Sequence, residues 1–219
     1  MSPKAARLAV VLETGDKRVF ASAADWPGWS RSGKTDEAAI EALVTYASRY
    51  APVVELAGFE LPDSIEVDVV ERNEGGGGTD FGVPSRVTDA DARKVSNVDA
   101  ERLAAIVEAA WTTFDAVANG APAELRKGPR GGGRDRDKMV RHVVDADAAY
   151  ARELGLKLKE PDAFDRKAVK AMRDEMLAVL RRPSDGSPLA GRRWTARYAA
   201  HRIAWHALDH AWEMQDRSE

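Results

Sequence analysis

After about Val98 the chain changes character, and that change limits what it can fold into. Four long segments carry apolar residues at helical spacing. The first, about 100–119, places Leu103, Ile106, Val107, Ala110, Trp111, Phe114 and Val117 on one stripe and stops at Asn119 and Gly120. The others cover about 135–154, ending before Gly155, about 166–180, ending before Pro183, and about 195–216. Four long amphipathic helices with short connections are the pattern of a four-helix bundle. The connection before the second helix, RKGPRGGGR over residues 126–134, is basic and glycine-rich.

The first ninety residues alternate strand and helix signals instead. An apolar run over 6–13, a turn at Thr14, Gly15, Asp16 and Lys17, and a second run over 18–24 predict a hairpin. DWPGW, residues 25–29, reads as a loop. Thr35 is placed to cap a helix running to about Tyr50, with Asp36 and Glu37 in its first turn. Ile65, Val67 and Val69 alternate with Glu66, Asp68 and Val70, as in a half-buried strand. EGGGGTD, residues 74–80, is expected to form a mobile loop, since four glycines carry much chain entropy. GWSRSGKT, residues 28–35, formally matches a phosphate-binding loop, but only one strand-loop-helix unit surrounds it, so the match is read as chance. The expected fold class is α+β, with a small αβ domain over residues 1–90 and a helical bundle over 91–219. A fragment starting at Val98 is expected to fold alone unless the first half covers a large apolar face of the bundle.

Several function classes lose ground on composition. A net charge of -3 argues against a whole-chain grip on nucleic acid or anionic lipid. There is no apolar run long enough to span a bilayer, and a cytoplasmic location is expected. With no cysteine there is no thiolate ligand and no nucleophilic thiol of the chain's own. No G-x-S-x-G elbow is present, and Ala207 after His206 rules out H-E-x-x-H.

The four histidines then stand out. His206 and His210 are four apart, so on a helix they are offset by roughly 40° and stack one turn above the other. That arrangement offers two imidazoles to one divalent cation, and His142 on a neighbouring helix would supply a third. His201, five before His206, points roughly 140° away and is excluded. Glu213 returns to the face of His206 as a fourth ligand, a catalytic base or a surface carboxylate. Asp145 and Asp209 each follow a candidate ligand by three residues, placed either to orient an imidazole from the second shell or to pair with a nearby arginine. Arg130 and Arg134 in the basic connection either guide an anionic substrate to the metal or sit in a solvated turn. Trp194, Trp205 and Trp212 are expected to pack; Trp26 and Trp29 are open to a partner surface or to packing on the bundle.

Three stretches of the second half, KGPRGGGRD (127–135), HVVDAD (142–147) and WHALDHAWE (205–213), resemble the DinB family of metal-binding four-helix bundles over about 98–217. The resemblance implies the metal triad His142, His206 and His210, and activity like that of thiol-dependent transferases and isomerases. FASAADWPGWSRSGKTDEAAIEAL, residues 20–43, resembles HicB-like modules over about 8–50, although no C-terminal DNA-binding extension follows. The expectation is a divalent-metal enzyme using zinc, nickel or iron, with a small-molecule substrate and a low-molecular-weight thiol, or water, at the open positions. A homodimer is left open. The alternative is a binding module whose HicB-like half engages a protein or RNA while the metal serves structure.

Overall fold

The computed structural model describes residues 6–62, 64–128 and 133–218. Its sheet is built from β1 (Ala6–Thr14), β2 (Val19–Ala23), β3 (Ser30–Gly33) and β4 (Ile65–Glu74) in the order β3-β2-β1-β4. β1 pairs antiparallel with β2, β2 antiparallel with β3, and β1 parallel with β4. Leu8, Val10 and Leu12 of β1 and Val19, Ala21 and Ala23 of β2 are buried. Their even spacing puts them on one face; α1 (Asp36–Thr45) packs on β2 and β3, and α2 (Ala47–Leu56) follows it. The opposite face carries Val11, Glu13 and Phe20, all buried too, and Phe20 packs edge-on against Trp205 at 6.1 Å between ring centroids.

The strand over 65–70 is present and continues to Glu74. A register shift between Val10 and Val11 lets Val10 face Val69 while Val11 faces Glu71, so Val70 is the extra residue of a bulge and stands exposed.

Two local expectations are corrected, the single helix over 35–50 and the mobile glycine loop. The helix expected over 35–50 is two helices meeting at Tyr46, although Leu43, Tyr50, Val53 and Val54 continue one buried stripe. Periodicity cannot see a kink that leaves the stripe intact. The stretch resembling a phosphate loop is β3 followed by the cap of α1, where Thr35 Oγ1 accepts from the Ala38 N–H at 3.2 Å. The glycine run is ordered: Gly77–Phe81 forms a short helix, α3. Thr79 Oγ1 accepts from the Gly76 N–H at 2.9 Å and donates to the Glu13 carboxylate, which also accepts from the Ser85 and Arg86 N–H groups at 3.1 Å. Glycine at position 75 serves close approach, since a Cβ there would lie 2.6 Å from Thr79 Oγ1.

The second half is four helices: α4 (Asn97–Gly120), α5 (Arg136–Glu153), α6 (Arg166–Leu180) and α7 (Ala196–Ser218). α4 packs on α7 and α6, and α5 packs on α7 and α6, so the four close a ring. The class is mixed α+β, with strands preceding a helical part. The DWPGW loop joins the halves. Trp29 is fully buried, its Nε1–H donates to the Leu43 carbonyl at 2.8 Å, and it stacks on Tyr50 at 5.1 Å. Gly28, at φ +87°, lies against Ala204 and Leu208 of α7, where a Cβ would come within 2.9 Å of the Leu208 side chain. Trp26 lies under the Arg102 guanidinium at 4.2 Å. The buried apolar residues of both halves form one continuous cluster. No helix among the described residues is long and apolar enough to cross a membrane.

Candidate metal centre

α5 and α7 lie side by side, and their contact brings His142 against His206 and His210. One potential ligand atom from each of the three lies within 4.8 Å of the others. His142 Nε2 and His206 Nε2 are 3.2 Å apart. Nitrogens at about 2.0–2.1 Å from one tetrahedral ion sit roughly 3.3–3.4 Å from each other, so this pair already has the spacing of two ligands on one ion. The rings pack edge to face, with centroids 4.7–5.0 Å apart. His210 Nδ1 donates to Glu213 Oε2 at 3.0 Å, which leaves its Nε2 free to ligate an ion.

Protonation favours the same use. Burial, then the neighbouring His210 and Arg134, pushes His142 down to about 4. Burial, then His210 and Arg202, holds His206 well below the usual imidazole value. Both therefore stay neutral near pH 7 and keep a lone pair for a cation. His206 Nδ1 is buried without a hydrogen-bond partner. Three imidazoles converging from two helices lie close enough to bind one metal ion.

Glu213 is bonded on both oxygens, Oε2 to His210 and Oε1 to Arg217 Nη1 at 2.8 Å. Those bonds hold its carboxyl below the usual glutamate range. It thus anchors an imidazole, the work for which the spacing had singled out Asp145 and Asp209. Asp209 turns to the sheet and pairs with Arg31 at 3.0 Å. Asp145 adds negative charge near His142, but among the described residues it accepts no hydrogen bond from a histidine. His201 bonds the Ala24 carbonyl at 3.2 Å and takes no part.

The basic connection splits. Arg126 is tied to the end of α7, its Nη2 donating to the Asp216 carbonyl at 2.7 Å, and Lys127 pairs with Asp135. Arg136 pairs with Asp137. Arg134 is exposed, and its charge is felt by His142 and His206. Arg130 lies outside the described residues.

Two neighbours of the triad had no place in the sequence reading. The Tyr150 ring sits 5.7 Å from that of His206, and Arg202 stacks over Tyr150 at 5.5 Å and Trp205 at 4.8 Å. Both were legible in principle, since Tyr150 is eight residues after His142 and Arg202 is four before His206. Among known proteins, no family model, curated protein or solved structure matches the chain.

Proposed function

We propose that the chain is a divalent-metal-dependent enzyme acting on a small substrate at His142, His206 and His210. The observation that carries this reading is the convergence of three imidazole nitrogens within 4.8 Å. A divalent ion there would lower the pKa of a coordinated water or thiol and polarise a substrate oxygen. His142 and His206 offer nitrogens that stay unprotonated. Glu213 holds the His210 Nδ1–H and so fixes which nitrogen faces the centre. The chain has no cysteine, so a thiol nucleophile must be a low-molecular-weight thiol from outside. The DinB-like motifs over 98–217 support the same reading. The alternative, a binding module built on the HicB-like half, would be favoured by exposed tryptophans at the Pro-Gly turn; Trp29 is buried and Trp26 half-buried under Arg102.

The test is turnover. Chelator-treated protein, reloaded separately with zinc, nickel or iron(II), is assayed for ester hydrolysis and for thiol addition to electrophiles. Turnover should need the metal and vanish in His210→Ala. Turnover that survives chelation and this substitution would remove the reading.

A further inference from the structure

Among the described residues, most buried and half-buried arginines meet a carboxylate. Arg173 meets Asp115 and Asp147, Arg197 meets Asp99, Arg217 meets Glu213 and Arg31 meets Asp209. Arg202 differs. It forms no ion pair among the described residues, is held by the faces of Trp205 and Tyr150, and has Nη1 buried without a hydrogen-bond partner. It stands one turn before His206 on α7, about 6 Å along the axis. Arg202, His206 and His210 therefore share one stripe, and Tyr150 touches both the guanidinium and the His206 ring.

Charge around the triad leans positive, although Asp145 adds negative charge near His142. Arg202 and Arg134 both act on His206, while the one carboxylate bonded to the triad, Glu213, is already shared with Arg217. A divalent ion on the three imidazoles makes the site more positive still. Such a site attracts anions, and an unpaired guanidinium held by two aromatic rings is built to take a carboxylate.

We propose that the substrate class of this centre is small organic anions, with Arg202 as the specificity-determining residue that receives a carboxylate while the reacting end lies at the histidine triad. The one-turn offset limits the spacer between the two ends to a few bonds. This rests on the metal reading above, and the test separates the two.

The full chain is loaded with cobalt(II) and titrated with three thiols of one backbone: β-mercaptopropionate (anionic), β-mercaptoethanol (neutral) and cysteamine (cationic). The cobalt–thiolate absorption band reports binding without any turnover. All three should produce the band, with β-mercaptopropionate tightest. Arg202→Met should weaken β-mercaptopropionate about tenfold or more, the size of a lost charge-assisted bond, and leave β-mercaptoethanol and cobalt content unchanged. Arg202→Lys, which keeps the charge, should retain most of the preference. No charge preference in the native protein, or a preference intact in Arg202→Met, overturns the proposal while leaving the metal reading standing. Failure to bind cobalt overturns both, whereas a cobalt centre that gives no band with any of the three thiols overturns the proposal alone.

Discussion

His210 is fixed from behind: its Nδ1–H meets Glu213, and Glu213 meets Arg217 one turn further on. Glu213→Gln keeps the shape but weakens the acceptor, so metal affinity should fall about 10–100-fold, read by competition with a coloured chelator. An unchanged affinity would show that the carboxylate does not orient the ring. A second residue-scale prediction concerns Asp147, which is buried beside Arg173 and pushed up to about 6, chiefly by burial, from 3.8. Below about pH 4 it is protonated in folded and unfolded chain alike; between there and about pH 6 the unfolded chain gives up the proton first. The folded state therefore loses stability through that window as pH rises. The stability of the native chain relative to Asp147→Asn should fall from about pH 4 to about pH 6.5 in urea titrations. A flat or rising difference would count against a raised carboxyl. The triad was legible because helical spacing says which residues share a stripe. The Arg31–Asp209 pair was not, because its partners lie 178 residues apart and meet only through tertiary packing.

At the scale of elements, boundaries were readable where a cap or stop residue stands, as at Thr35, Gly120 and Pro183. Two elements were hidden. Ser30–Gly33 has no apolar alternation and is a strand because β2 supplies its hydrogen bonds. Helix α3 lies within a glycine run whose order comes from Glu13, 66 residues before Thr79. Local entropy predicts disorder there; a buried carboxylate with several donors overrides it. Thr79→Val should leave Glu13 short of a donor and cost about 1–3 kcal/mol in urea unfolding. It should also open the peptide bonds near Gly77 to protease, whereas the native chain resists there. Equal cleavage in both would return the segment to a plain loop.

For the whole molecule, the composition shift near Val98 gave the order of the two halves but not how they meet. The junction rests on Trp29, Tyr50 and Gly28, and loop residues carry no periodic signal of burial. Since the buried cluster runs through both halves, the chain should unfold in a single urea transition, with Trp29→Ala costing about 3–5 kcal/mol. Two separated transitions would show that the halves hold themselves up. The junction also sets the sheet and its loops against α7, the helix that carries two of the three histidines. Whether the three histidines hold a divalent ion is read by elemental analysis of the full chain purified without chelator. About one divalent ion per chain is expected, lost in His206→Ala and kept in His201→Ala, since the native His201 imidazole bonds the Ala24 carbonyl instead. A metal-free native protein, or equal metal in the two variants, would contradict the three-histidine centre.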